Sequence, residues 1–278
     1  MTADRDPGYA NDTARPTSGP ERPPRSLSSA VLFRLRRDPA LLVPFFLVGV
    51  ALSLVDRLRR LDPIPFVERE RIGSNGINVQ VEYIGYPTGA TQTAVPLESL
   101  IDLHISYLAL GIGYYVLPLL AVAVAGAITM RRAMSNRRAM TDDASLWLTA
   151  VGPLFGYVVA MDLLYRLLGS IDVLQGMGLW GIVPLILYFL VMVRLFAVPA
   201  LLVAGRGFLS ALVESDRRIR GNGWTVFGAT LAIGLTAWLL VDVPVVGTAL
   251  SIAVVAPAHA VAIVAFLDLE RCDGEPRA

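Results

Sequence analysis

Residues 180–203, WGIVPLILYFLVMVRLFAVPALLV, contain a single charged residue, Arg194. An apolar run of about 20 residues is long enough to cross the hydrocarbon core of a bilayer as a helix. Comparable runs recur along the chain and predict six membrane spans, at 39–55, 103–130, 146–168, 180–203, 224–241 and 248–267. The predicted fold class is therefore an all-α membrane protein.

The composition agrees with this prediction and excludes several kinds of site. Of the 278 residues, 55% are hydrophobic and 17% are charged, whereas about 25% of a typical soluble protein is charged. The net charge of +1 indicates no nucleic-acid partner. One cysteine, Cys272, and two histidines are too few for a Cys/His zinc or iron–sulfur site. All 24 basic residues are arginines, which is typical of a GC-rich, prokaryotic genome.

The chain divides into two tails and one membrane domain. Residues 1–25 are rich in proline and predict a disordered tail, residues 26–270 form the membrane domain, and residues 271–278 form a second tail. Arginine placement sets the orientation, because cytoplasmic segments carry an excess of basic residues. With the N-terminus inside, 17 arginines lie on the cytoplasmic side and 5 in the outer loop. We therefore predict a protein of the cell (plasma) membrane with both termini in the cytoplasm.

The outer loop, residues 56–102, has a pattern of its own. Apolar and polar residues alternate over 77–83, turn-forming residues follow at 85–89, and 91–95 provides a return strand. This pattern predicts a small extracytoplasmic β-hairpin.

Two further stretches predict helices that lie on the cytoplasmic membrane surface. In 26–37, leucines and a valine recur at helical spacing and arginines follow. Between the fourth and fifth spans, apolar residues face one way, while Glu214, Arg217 and Arg218 face the other. We expect these arginines to contact anionic head groups of the lipid bilayer.

Three stretches carry a family resemblance: FRLRRDPALLVPFFL at 33–47, VPALLVAGRGFLSALVESDRRIRGNGWTVFG at 198–228, and AFLDLE at 265–270. Together they resemble six-span prokaryotic membrane proteins of unknown function, common in haloarchaea and akin to the membrane domain of some glycerophosphodiester phosphodiesterases. Asp216-Arg217 departs from the family, which often has Ser-Trp there. The resemblance implies a fold class and no active site, because the phosphodiesterase chemistry belongs to a separate soluble domain.

Four polar residues inside the predicted spans form a candidate buried site: Asp162, Arg166, Arg194 and His259. Charges within spans are costly and mark functional candidates. A structural alternative exists for each residue. Asp162 and Arg166, one helical turn apart, can pair with each other, Arg194 can extend to the cytoplasmic head groups, and a neutral His259 can bind a carbonyl freed by Pro257.

A ridge of small residues, Gly152, Gly156 and Ala160, predicts close packing of the third span against another helix, either within the chain or in a homo-oligomer. The alanine-rich sixth span, from Ala253 to Ala265, is the expected partner within the chain.

Three functions compete on these patterns. No hydrolase or nucleotide-binding motif is present in the sequence, which favours a non-enzymatic scaffold or accessory protein without cofactor or metal, acting on a protein partner not yet identified. Buried charge and proline-broken spans favour a small-solute transporter or permease. A lipid-acting intramembrane enzyme would depend on Asp102 and His104, since only this pair offers acid–base chemistry at the membrane interface.

Overall fold

The computed structural model describes residues 26–61, 84–89, 105–135, 144–168, 180 and 182–274. These residues are mostly helical and include no strand. The helices are α1 (Leu27–Arg37), α2 (Val43–Leu61), α3 (Ile105–Ser135), α4 (Ala144–Leu168), α5 (Ile182–Leu195), α6 (Val198–Val203), α7 (Phe208–Ile219), α8 (Gly223–Val241), α9 (Gly247–Leu250) and α10 (Ala256–Gly274). A 3-10 turn, Pro39–Leu41, precedes α2, and a π-helical turn, Ser251–Val255, joins α9 to α10.

Four helical segments of the described chain are long and apolar enough to cross a membrane: Leu108–Met134, Ile182–Val203, Gly223–Val241 and Gly247–Glu270. The count rises to five if α1 and the segment Pro39–Val55 are taken as one bent span. This is fewer than the six predicted. The 25-residue α4, at the position of the predicted third span, is not among these segments and carries Asp162 and Arg166.

The chain turns by 99° between α1 and the segment that follows it. The residue before a proline is disfavoured in the helical conformation, and Asp38, which precedes Pro39, has φ −133° and ψ 82°. At its other end α1 is capped by Ser26, whose hydroxyl accepts a hydrogen bond from the amide of Ser29. Helix α1 is therefore a separate short helix lying across the direction of the next segment.

Helix α10 forms the centre of the bundle. It packs against α1, α3 and α6, and its small side chains Ala256, Ala260 and Ala265 are almost fully buried. The π-helical turn before it packs against α2, α8 and α9. Small residues let helix backbones approach closely. The alanine-rich sixth span thus packs closely against α1, α3 and α6, whereas α4, its predicted partner, is not among its main neighbours.

Ion pairs and hydrogen bonds join the elements at one end of the bundle, which we call the basic end. Arg34 of α1 pairs with Asp268 of α10, and Arg132 of α3 donates to Asp38 at 2.7 and 3.1 Å. The pairing with the Arg132 guanidinium lowers the pKa of Asp38 below its ordinary value. The first described residues and the C-terminal turns of α10 therefore lie together at this end.

The predicted turn at 85–89 lies between the helices. Gly85, Tyr86, Pro87 and Gly89 are buried, whereas the sequence pattern predicted that this turn belongs to an extracytoplasmic β-hairpin. The burial has a physical reason: glycine has no side chain, so Gly85 and Gly89 let the backbone on both sides of Tyr86 approach the helices closely. The strands predicted at 77–83 and 91–95 lie outside the described residues.

Candidate functional site

Two glycines fit the inserted segment 84–89 into the bundle. Gly85 has φ +78°, and a Cβ there would lie 2.8 Å from Sδ of Met192 and 2.9 Å from Cε of Met161. A Cβ on Gly89 would lie 2.5 Å from the backbone of Ser251 and Ile252. The segment is thus wedged between α4 and α5 on one side and the π-helical turn on the other.

Tyr157, near the middle of α4, holds this segment in place. Its hydroxyl, which is buried, donates to the carbonyl of Gly85 at 3.0 Å. The same hydroxyl lies 3.4 Å from the carbonyl of Leu195, the last residue of α5. One side chain therefore links the inserted segment to the point at which the fourth predicted span is broken.

Asp162 of α4 stands at the centre of a polar cluster. Its carboxylate accepts hydrogen bonds from the Tyr115 hydroxyl and from Nε of Arg166, both at 2.7 Å. The Arg166 guanidinium also lies 5.1 Å from the centre of the Tyr115 ring, within the range of a cation–π contact. Asp162 and Arg166 are one turn apart on α4, and Tyr115 comes from α3.

The inserted segment contributes Tyr86 to the same region. Tyr86 is buried, and its hydroxyl lies in the neighbourhood of Asp162, Tyr115, Arg166 and Tyr188. We call these five residues the Asp162 cluster. It brings together α3, α4, α5 and the inserted segment around one ion pair. Within this cluster Tyr115 and Arg166 both donate to Asp162, and the Tyr115 bond joins α3 to α4.

The break between α5 and α6 follows from Pro199. A proline in a helix removes one hydrogen bond and clashes with the carbonyl four residues earlier, which here belongs to Leu195. Ser215 of α7 makes up for the lost helix contacts. Its hydroxyl donates to the carbonyl of Arg194 at 2.7 Å and accepts from the amide of Ala197 at 3.3 Å. The broken span is therefore held by side chains of α4 and α7.

Arg194 is separate from the Asp162 cluster. Its guanidinium pairs with Asp216 of α7, which also accepts from Arg220 at 2.7 and 3.1 Å. The two guanidinium groups lower the pKa of Asp216, with Arg194 the larger cause. The Arg194 side chain is 44% exposed. Asp216, at which the sequence departs from the resembling family, is thus the partner of the one charged residue in the fourth predicted span.

His259 is buried in α10 and stacks on Phe196, with the ring centres 5.8 Å apart. Phe196 lies in the break between α5 and α6, and its ring also meets Phe266 edge-on at 6.0 Å. His259 therefore packs on the broken span through its ring. The four predicted site residues thus fall into three places: Asp162 with Arg166, Arg194 with Asp216, and His259 with Phe196.

The small-residue ridge of α4 faces outward. Gly152, Gly156 and Ala160 are exposed. Among the described residues, a Cβ added at Gly152 or Gly156 would meet nothing within 4 Å. The described helices therefore leave this ridge uncovered, and its predicted packing against another helix, within the chain or in a homo-oligomer, stays a prediction.

Sequence reasoning missed Tyr157, Tyr115 and Ser215, which make most of the polar contacts between elements. Tyr157 lies four residues before the buried Met161, on the inward face of α4. The helical periodicity of apolar residues could therefore have predicted that Tyr157 is buried. Ser215 lies on the buried face of a helix whose opposite face is charged. A polar residue on the apolar face of such a helix could have been predicted to bind a buried partner. Asp102 and His104 lie outside the described residues, and in the described part of the chain no group of three or more His, Cys, Asp or Glu side chains could hold a metal ion.

The long apolar helices and the polar contacts between them indicate a helical membrane protein. Comparison with protein-family models, with curated proteins and with solved structures finds no match to this chain. The resemblance drawn from 33–47, 198–228 and 265–270 stays a prediction.

Proposed function

We propose that the protein is a non-enzymatic scaffold or accessory protein of the cell membrane, with six spans and both termini in the cytoplasm. The observation that carries this proposal is that polar side chains between the helices bind other elements of the same chain. Asp162, Arg194 and Ser215 each bind side chains or backbone of another element of the same chain. Groups engaged in this way hold helices in fixed positions, which is what a membrane scaffold requires.

Six spans require α4 to cross the membrane as the third, with the segment beginning at Pro39 as the first. Helix α4 supports this proposal by its length of 25 residues and by its packing against α3 and α6. The orientation is supported by the basic end, where exposed arginines lie beside the first described residues and the C-terminal turns of α10. An excess of arginine is typical of the cytoplasmic side.

A protein partner or a second copy of the chain is part of this proposal. A scaffold needs a surface that its own chain leaves free, and the exposed ridge on α4 is one such surface.

A small-solute transporter is the alternative, and a specific observation favours it. The broken span α5–α6, the π-helical turn and the inserted segment all meet near Tyr157, Ser251 and Gly89. Discontinuous helices beside irregular backbone are the usual construction of transporter binding sites. This alternative requires water to reach Asp162, Arg166, Arg194 or His259 from one side of the membrane.

Cysteine accessibility distinguishes the two functions. In a Cys272→Ser background, single replacements Met161→Cys, Met192→Cys and Ala260→Cys place thiols beside the inserted segment and near His259. Two exposed positions serve as controls, Arg217→Cys at the basic end and Val245→Cys in the loop after α8. Intact and permeabilised cells are labelled with a membrane-impermeant maleimide.

We expect labelling at the two controls only, each from its own side of the membrane. Labelling of Arg217→Cys only after permeabilisation would support the cytoplasmic placement of the basic end. Labelling of any of the three buried thiols at a rate close to that of the controls would overturn the scaffold proposal in favour of the transporter, since it would require a water-filled path.

A further inference from the structure

The basic end of the bundle carries two short helices, α1 and α7, on either side of the C-terminal turns of α10. Arg34 ties α1 to Asp268 of α10. The side-chain amide of Asn222, which follows α7, donates to Glu270 of α10 at 2.8 Å. Both helices are thereby fixed to one end of the central helix and to one end of the bundle.

Contacts separate the arginines of this end into two groups. Arg34, Arg132, Arg194 and Arg218 are engaged with Asp268, Asp38, Asp216 and Glu214. The second group consists of Arg36, Arg37 and Arg217, which are exposed and make no ion pair with the described residues. Arg206 and Arg220 are likewise paired, with Glu214 and Asp216. The charges of the paired arginines are thus met within the protein, whereas those of the second group are available to a partner.

The free arginines share a face with exposed apolar side chains. In a helix, residues four apart lie on one face, and each free arginine follows an apolar residue at this spacing. On α1 the pairs are Leu32 with Arg36 and Phe33 with Arg37, where the apolar members are 56% and 37% exposed. On α7 the pair is Val213 with Arg217, and Val213 is 60% exposed.

The opposite faces of the same helices point into the protein. Ala30 of α1, and Ala211, Ser215 and Ile219 of α7, are buried. The exposed apolar residues are therefore on the far side of the helix from the bundle core, where packing within the chain cannot cover them.

We propose that the outer faces of α1 and α7 bind the head groups of anionic phospholipids. Helix α7 connects two segments long enough to span the membrane, so it lies where a bilayer surface would be. An interfacial helix places apolar side chains at the acyl boundary and arginines among the phosphates. Each free arginine lies beside an exposed apolar residue, and a lipid surface can contact both. An acidic protein segment would pair with the arginines and leave the apolar residues uncovered.

The test compares lipid selectivity of intact variants. Purified protein in a neutral detergent is mixed with phosphatidylglycerol and phosphatidylcholine, and bound lipids are counted by native mass spectrometry. The variants are R36Q/R37Q and R217Q, with R36K/R37K and R217K as versions that retain the charge. The matched control is R57Q, which removes an exposed arginine towards the C-terminal end of α2. Thermal unfolding in the same detergent checks that each variant is folded.

We expect wild-type protein and the lysine versions to prefer phosphatidylglycerol. Each glutamine should lower this preference about fivefold, which corresponds to about 1 kcal/mol per basic residue at an anionic surface. Raising the salt concentration should weaken the preference, because salt screens exposed charges. R57Q should leave the preference unchanged.

The proposal is overturned if the glutamine variants keep the wild-type preference, or if R57Q lowers it equally. It is also overturned if wild-type protein shows no preference between the lipids yet binds an acidic polyglutamate peptide through these arginines, since the partner would then be an acidic protein segment. These outcomes do not depend on whether the protein is a scaffold or a transporter.

Discussion

The hydroxyl of Tyr157 lies 3.0 Å from the carbonyl oxygen of Gly85, which joins the middle of a long helix to a non-helical segment between the helices. The same hydroxyl lies 3.4 Å from the carbonyl of Leu195, which Pro199 deprives of its helical partner. A buried carbonyl without a donor is costly, particularly within a membrane, where water cannot replace the lost partner. One phenol thus stabilises two irregular stretches of backbone.

Replacement of Tyr157 by phenylalanine should lower the free energy of unfolding by about 1–3 kcal/mol, because the buried carbonyl of Gly85 loses its donor. The ring is retained, so packing changes little. Thermal unfolding in detergent measures the effect. Thr236→Val is the matched control, since the Thr236 hydroxyl donates to the carbonyl of Ala232 on an exposed part of α8. Equal losses in the two variants would contradict a special role for Tyr157.

Gly89→Ala should displace the inserted segment, because the new methyl group would lie 2.5 Å from the backbone of Ser251 and Ile252. A backbone contact of this kind cannot be relieved by a change of rotamer. Gly156→Ala is the control: its methyl group meets nothing within 4 Å, and it should be neutral or stabilise the helix by roughly 0.5–1 kcal/mol. Limited proteolysis and thermal unfolding report on both. A Gly89→Ala protein as stable and protease-resistant as wild type would refute the insertion.

Asp162→Asn should lower the free energy of unfolding by about 2 kcal/mol, because hydrogen bonds to a charged group are worth roughly 1.5–3 kcal/mol each and the amide keeps part of them. Arg166→Gln should cost less, since the Arg166 side chain is 25% exposed and the Asp162 side chain 9%. The double variant should lose less than the sum of the single losses, as contacting residues do. Additive losses in a double-mutant cycle would show that the two charges do not interact.

The basic end should become less stable in acid. The folded-state pKa of Asp216 is lowered by Arg194 and Arg220, and that of Asp38 by Arg132. A carboxyl group with a lowered pKa contributes stability above its ordinary value of 3.8 and loses it as the pH falls through the folded value. Thermal unfolding followed from neutral pH to below 3.8 should show this loss. In Arg194→Gln the loss should be smaller; an unchanged acid profile would argue against the pairing.

Much of the helical framework could be predicted from the sequence, because apolar runs of spanning length are a local property. The helices α3 and α8 begin and end within a few residues of the predicted second and fifth spans, and the apolar segment Gly247–Glu270 covers the predicted sixth span. A helix between the fourth and fifth spans was predicted from its apolar and charged faces, and the structure has a helix there, Phe208–Ile219. The ion pair between Asp162 and Arg166 was also foreseeable, since residues one turn apart are neighbours in any helix.

The candidate site was less predictable, because its members come from elements distant in sequence. Nothing local distinguishes Tyr115, which donates to Asp162 across 47 positions of the chain. Arg194 was predicted as part of a buried polar site, with extension to the head groups as the alternative, and its pairing with Asp216 depends on how α7 folds back against α5. The glycine ridge of α4 is a further case, since small residues at helical spacing permit close packing without specifying a partner.

The sequence by itself determined which segments are helical, where prolines end or break them, and where the arginines collect, since each depends on residues a few positions apart. Tertiary structure alone decided that 84–89 enters the bundle, that the Tyr157 hydroxyl reaches the carbonyls of Gly85 and Leu195, and which arginines of the basic end make no ion pair with the described residues. Those outcomes depend on the positions of whole helices relative to one another. Such positions follow from the packing of many side chains at once, and no short stretch of sequence encodes them.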